Sequence, residues 1–184
     1  MKRYLITDPH FYTSDATLFT KKLMEVLKKH SVDFICIRDK QNPLYETFVK
    51  NVVSLLPAKI HSKIILHSEI ELAASLNVFG VHLPSHRYLD IQRAKALGLF
   101  TILSTHSLDE ILRAQNLGVD AITFSPIFHS PGKGEPVGLE KLKEINAKIK
   151  TKCFALGGIT EERQIRACEA IGVYGFASIR YFLD

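Results

Sequence analysis

Three groups of residues in this 184-residue chain have the types and spacing to hold an anion. Arg38 and Lys40 stand two apart at the end of the apolar run 33–38. In an extended segment both side chains point the same way. Two like charges facing together are costly unless an anion joins them, or unless Asp8 or Asp39 pairs with them. Leu156-Gly157-Gly158-Ile159-Thr160 leads into a helical pattern. Its glycines let the backbone approach a ligand and its helix start offers free N–H groups, although a plain tight turn has the same composition. Arg180, near the C-terminus, carries paired donors that suit a phosphate. Lys133 lies between Gly132 and Gly134, on a segment able to close over a ligand or to stay solvated.

Proton chemistry is the second possibility. Histidine is the side chain whose ordinary pKa lies near neutrality. Of the eight histidines, His67, His82, His106 and His129 fall on or just after apolar runs. His82 lies inside its run and reads as structural. His129, beside Ser130 in a Gly/Pro-rich stretch, is the most exposed by context. No Cys/His spacing suits zinc, and Cys36, Cys153 and Cys168 never pair as CxxC. Buried reduced thiols in a cytoplasmic protein are expected.

Elements that would position these groups alternate regularly. Short apolar runs at 4–7, 33–38, 63–67, 80–83, 100–105, 121–126, 153–156 and 175–179 read as strands, several continuous enough to be covered on both faces. Between them lie helical stripes: Phe19, Leu23, Val26 and Leu27; Leu108, Ile111, Leu112 and Gln115; Leu139, Leu142, Ile145 and Ile149. Ser68 with Glu71 and Ser107 with Glu110 have capping-box spacing. Gly98, Gly118 and Gly172 mark helix ends, and 131–138 reads as one long loop.

Eight strand-then-helix units predict an α/β single domain over 1–184, a small (β/α)8 TIM barrel. A doubly wound sheet is the alternative. Only 180–184 follow the eighth strand, so the eighth helix is truncated or missing. The gap is then open, or covered by a partner in a homo-oligomer. In such a barrel the strands' C-terminal ends carry the site, which gathers the anion-holding groups and the histidines at one mouth. The net charge of +5 comes without a Lys/Arg tract. It suits an anionic small molecule and predicts no nucleic-acid or membrane partner. No apolar run nears the roughly 20 residues of a spanning helix.

The chain resembles the thiamine phosphate synthase / TenI superfamily of small barrels. The likeness runs nearly end to end, through Tyr4-Leu5-Ile6-Thr7-Asp8, Ile37-Arg38-Asp39-Lys40, Gly80-Val81-His82-Leu83, Ser104-Thr105-His106-Ser107-Leu108-Asp109-Glu110, Phe124-Ser125-Pro126-Ile127-Phe128 and Leu156-Gly157-Gly158-Ile159-Thr160. Synthases of that family join a hydroxymethylpyrimidine diphosphate to a thiazole phosphate, with Mg²⁺ assisting departure of pyrophosphate. The resemblance implies that Arg38 and Lys40 hold the diphosphate and that Ser130 and Lys133 belong to the loop closing on it. It places Ser104 near the pyrimidine, and Gly158, with Ile179 and Arg180 at the end of the eighth strand, around the thiazole phosphate, beside the Gly157 already read as part of the anion-holding turn.

The departures point elsewhere. His67-Ser68 stands where synthases carry Asn-Asp, and Pro84-Ser85-His86-Arg87 where they carry Gly-Gln-x-Asp, so both Mg²⁺-binding carboxylates are missing. Cys36 replaces a glutamine. Leu83-Pro84-Ser85 is similar instead to the TenI branch, whose activity is tautomerisation of a thiazole phosphate carboxylate. That proton shift needs an acid/base and a phosphate anchor, without a metal or other cofactor. The TenI histidine aligns with Pro126 here, which leaves His129 or His67 as the expected catalytic group. The reading from sequence is thus a thiazole tautomerase. A Mg²⁺-dependent synthase and a non-catalytic thiazole-phosphate binder are the alternatives.

Overall fold

Eight parallel strands close into a barrel in sequence order in the computed structural model, which describes residues 1–183. The strands are β1 (Lys2–Ile6), β2 (Phe34–Ile37), β3 (Ile64–His67), β4 (Gly80–Leu83), β5 (Phe100–Thr105), β6 (Ala121–Phe124), β7 (Lys152–Leu156) and β8 (Gly175–Ser178). Around them run α1 (Pro9–Tyr12), α2 (Ala16–Lys29), α3 (Tyr45–Leu55), α4 (Ala58–His61), α5 (Ile70–Ser75), α6 (Ile91–Ala96), α7 (Leu108–Asn116), α8 (Gly138–Lys148) and α9 (Glu162–Ile171). Short 3₁₀ turns at Ser85–Asp90 and Tyr181–Leu183 complete the order. Every expected strand is present, and the doubly wound alternative is excluded by closure of β8 on β1, with Lys2 opposite Gly175 and Leu5 opposite Ser178.

The period-2 pleat sorts each strand between two cores. Tyr4, Ile6, Phe34, Cys36, Ile65, Ile102, Ala121, Phe154 and Ala177 pack inside the barrel. Leu5, Ile35, Ile37, Leu66, Val81, Leu103 and Ile122 face the helices. Apolar residues on both faces explain why the strands read as unbroken runs. All three cysteines are buried and unpaired, as expected. No helix among the described residues is long and apolar enough to cross a membrane.

After β8 the described residues form one 3₁₀ turn, Tyr181–Leu183, which packs back on the barrel. Phe182 is buried, stacked on Phe176 with centroids 5.8 Å apart, and the His30 ring meets it edge-on at 5.7 Å.

Helix ends follow the glycines at 98, 118 and 172, each with positive φ. Ser107 caps α7 by accepting from the Glu110 amide at 3.2 Å, but the Glu110 carboxylate takes the His106 amide rather than that of Ser107. Ser68 is not a cap. It has φ +69°, Glu69 precedes α5, and the Ser68 hydroxyl lies 3.0 Å from His67 Nδ1. The complete capping box is instead Glu161 with Gln164, on α9. In α7 the buried stripe is Ile111 and Ala114, whereas Leu112 is partly exposed.

Two carboxylates fasten the barrel where strands begin. Asp33 accepts from Lys2 Nζ and the Arg3 amide, and Asp120 from Lys95 Nζ, the Thr101 amide and the Thr101 hydroxyl, all at 2.8–2.9 Å. Burial alone would raise the pKa of Asp120, but the bonds from Lys95 and Thr101 outweigh it and hold the carboxyl below its ordinary value. With a depressed folded pKa, its stabilisation is present above the unfolded value of about 3.9 and is lost as pH falls through the folded one. Asp120→Asn should therefore destabilise the protein by about 1–3 kcal/mol at neutral pH. Denaturant titrations should show that difference shrinking below about pH 4.

Candidate active site

Continuing the inward line Phe34, Cys36 by two residues brings Arg38 into the barrel mouth, and by four brings Lys40 to its rim. Both line a cavity of ≈ 360 Å³ with His67, His82, Ser104, Ser130 and Lys133. Arg38 Nη1 contacts Asp8 Oδ2 at 3.0 Å, so the expected carboxylate pairing occurs, yet the guanidinium still faces the cavity. Asp39 turns away; it is buried and accepts from the Ser14 hydroxyl at 2.6 Å. Lys40 has no carboxylate partner among the described residues. Burial lowers its pKa, and the nearby Arg38 and Lys133 lower it further. That is the signature of cations crowded together, and an anion between them relieves it.

A polar chain forms the floor. Tyr4 Oη lies 2.9 Å from His82 Nδ1, and His82 Nε2 lies 2.9 Å from Ser104 Oγ. Burial, with His67, Arg38 and Lys40 nearby, pushes the His82 pKa down to about 3, so its ring is neutral and bonded at both nitrogens. His82 is structural, as expected, and it aims the Ser104 hydroxyl. His67 is held down to about 4, chiefly by burial and then by Arg38, Lys40 and Arg87. His106 is exposed, with Nδ1 2.9 Å from the Ser125 carbonyl. His129 is exposed and lines neither this cavity nor the adjoining one.

The adjoining cavity, ≈ 310 Å³, is built from the ends of β7 and β8 and shares Ser130, Leu156, Gly157 and Ile179 with the first. Gly158, Ile159, Arg180 and Phe11 of α1 are also part of its wall. The glycines are required here by protein contacts. Gly158 has φ +69°, and a Cβ on it would stand 2.4 Å from the His129 carbonyl oxygen. The Phe128 amide donates to the Gly157 carbonyl at 3.0 Å, locking the loops after β6 and β7 together. The expected helix start also differs. α9 begins at Glu162, and the amides of Thr160 and Glu161 already donate to Gln164 Oε1. The Gly158 and Ile159 amides, without a protein acceptor among the described residues, are the ones left for an anion. Exposed Arg180 stands at the rim.

The residues where a Mg²⁺ ion would be expected do not fit one. Arg87 donates from Nε to Asp90 at 2.5 Å and from Nη1 to the Ser68 carbonyl at 2.8 Å. Asp8, Asp39 and Asp90 are each engaged as described. No group of three or more His, Cys, Asp or Glu able to hold a metal occurs among the described residues. A hard divalent cation wants free carboxylate or phosphate oxygens, and the mouth offers cations instead.

Sequence reasoning missed Tyr4 and Phe11 as parts of the site. Tyr4 lies in an unbroken apolar run whose inner face the sequence does not mark. Phe11 belongs to a four-residue helix too short for a periodic signal.

Comparison with known proteins follows the same outline. The family model for thiamine monophosphate synthase matches residues 3–182. A putative thiamine-phosphate synthase 2 of Aquifex aeolicus is 32% identical over 98% of this chain and 97% of its own. A thiamine-phosphate synthase of Clostridium acetobutylicum is 29% identical over 100% of this chain and 87% of its own. The structure of a thiamine phosphate pyrophosphorylase from Pyrococcus furiosus superposes with a TM-score of 0.79 at 25% identity, covering 97% of this chain and 85% of that one.

Proposed function

Because the chain belongs to the thiamine monophosphate synthase family, we propose that it joins a pyrimidine diphosphate to a thiazole phosphate and releases pyrophosphate. One observation carries this reading beyond the family: two abutting cavities, each with its own anion-holding groups. A coupling of two anionic substrates needs two such ends with the reacting atoms between them. The diphosphate goes to Arg38, Lys40 and Lys133, and the thiazole phosphate to the Gly158 and Ile159 amides and Arg180.

As the carbon–oxygen bond to the diphosphate breaks, its electron pair and charge move onto the leaving group. Fixed cations at that end stabilise this change more than they stabilise the substrate. Ser104, held by His82, and Ser130 line the space between, and Lys133 is carried on the loop that shields the electron-deficient carbon from water. No step is routed through a metal, because no group of three or more metal-ligating side chains occurs among the described residues.

The absent carboxylates favour one other reading, a metal-independent thiazole tautomerase using the phosphate cavity alone. That reaction needs a group titrating near neutrality against the thiazole. Among the described residues no histidine lines the phosphate cavity: His67, His82, His86 and His106 line the adjoining mouth, and His129 lines neither. Incubation with each substrate alone and with both, with and without Mg²⁺, separates the readings. Thiamine phosphate and pyrophosphate in equal amounts, only when both substrates are present, is the expected result. Isomerised thiazole in the absence of pyrimidine would select the tautomerase, and neither product a non-catalytic binder.

The phosphate cavity makes its own prediction. Arg180→Ala should weaken thiazole phosphate by about 1.5–3 kcal/mol, roughly 10- to 150-fold, and leave inorganic pyrophosphate binding unchanged. Calorimetry with both ligands checks it; parallel losses would mean that Arg180 is not specific to the phosphate cavity, the cup at the ends of β7 and β8.

A further inference from the structure

His67 sits where the mouth cavity meets a side pocket of ≈ 370 Å³, and it lines both. Its Nδ1 is engaged by the Ser68 hydroxyl at 3.0 Å, and no bond to its Nε2 is made among the described residues. The groups around it come from every neighbouring element. Arg38 and Lys40 approach from the end of β2, and Arg87 and His86 from the turn after β4. The His82 ring lies 6.3 Å away on β4, and Tyr45 of α3 accepts from the His67 amide at 3.4 Å. Asp39 and Glu69 also line the side pocket, where Asp39 is already bonded by Ser14. Unlike His82, whose two nitrogens are both occupied, His67 has a nitrogen left for a ligand.

We infer that His67 is a proton-carrying member of the diphosphate site. When the anion seats among Arg38, Lys40 and Lys133, Nε2 takes a proton from solvent and donates it in a hydrogen bond to an anion oxygen. This rests on the reading that the cationic end of the mouth takes a diphosphate. Burial is the main reason the empty ring is neutral and the nearby cations add to it; a multiply charged anion seated among those cations opposes both effects and favours the protonated ring. On cleavage of the carbon–oxygen bond the electron pair stays with the leaving oxygen. That oxygen accepts the Nε2 proton, and His67 returns to the neutral form while pyrophosphate departs one proton richer. His67 thus supplies, for the bound state only, a positive charge that the empty mouth does not carry.

Calorimetric titration with inorganic pyrophosphate at about pH 6, in buffers of different ionisation enthalpy, counts protons taken up per anion bound. If the anion restores the ordinary histidine value of about 6.5, the parent protein should take up roughly 0.7 proton more than His67→Asn. Any protonation of pyrophosphate itself is common to both and cancels. Equal uptake by the two proteins overturns the proposal. Nitrogen-15 spectra of the histidine rings in the unsubstituted protein give a second measurement, independent of the variant's folding. His67 should pass from neutral to doubly protonated as pyrophosphate is added, and a ring still neutral at saturation overturns it. Pyrophosphate that fails to bind at all overturns both this and the diphosphate reading, whereas binding without proton uptake overturns only this one.

Discussion

Gly158→Ala should lower stability by about 2–4 kcal/mol and weaken thiazole phosphate more than 100-fold. The residue has φ +69°, a conformation that costs an alanine about 1 kcal/mol before any contact is considered. Its Cβ would then lie 2.4 Å from the His129 carbonyl oxygen and 2.7 Å from Phe128 backbone atoms. Neither is the movable end of a side chain, so the segment 126–130 must shift. That segment carries Ser130, which lines both cavities, and it is held by the Ile127 and Phe128 amides donating to the Leu156 and Gly157 carbonyls. Relief of the overlap therefore moves the wall of the phosphate cavity away from the amides of Gly158 and Ile159. Gly134→Ala is the control. It has no positive φ and open space where its Cβ would go, and should change neither melting temperature nor affinity appreciably. Thermal unfolding and calorimetry on both variants check the pair, and a Gly158→Ala protein with unchanged affinity would show that the cup is not where the phosphate binds.

That geometry also marks how far the sequence could be read. The eight strands were legible because residues packed on both faces leave no gap in the apolar run, and the glycines at 98, 118 and 172 punctuated the helices between them. The cationic pair was legible for a related reason. A two-residue spacing at a strand end fixes a shared direction, and Arg38 and Lys40 do lie at one mouth. What the sequence does not carry is which neighbour a side chain meets across the barrel. Tyr4 and His82 are 78 positions apart and bond at 2.9 Å, yet nothing local to either distinguishes the inner face from the outer. Ser68 fails as a cap for the converse reason. Its spacing to Glu71 is right, but a left-handed backbone at 68 turns its hydroxyl onto His67 instead.

The histidines show the same limit in electrostatic form. Type alone places all of them near neutrality. Burial and the company of Arg38, Lys40 and Arg87 remove His67 and His82 from that range, while exposure leaves His129 outside the cavities altogether. The charged groups that gather at the mouth, Arg38, Lys40 and Lys133, are all cations. This shifts the reading from a proton shift on one phosphate ester toward a reaction in which charge develops on a leaving diphosphate.

Arg38→Ala is expected to lower turnover by about 10²–10³, the usual loss when one fixed donor to a developing charge is removed. Two effects combine in that figure. The guanidinium is lost from the diphosphate end, and Asp8, 3.0 Å from Nη1 in the parent, is left as an uncompensated carboxylate beside the site. Asp8 also accepts from the His10 amide and so caps α1, which carries the cup residue Phe11. Asp8→Asn keeps an oxygen for that cap while removing the charge. In the Arg38→Ala background it should therefore recover about tenfold of the lost turnover, whereas alone it should change turnover little. Because the stabilised charge develops as the bond breaks, the loss should fall mainly on kcat, with KM for the pyrimidine diphosphate altered less. Steady-state kinetics of the four proteins closes the cycle. A loss confined to KM would make Arg38 a binding residue only, and no recovery in the double variant would mean that the Asp8 charge is not felt at the leaving group.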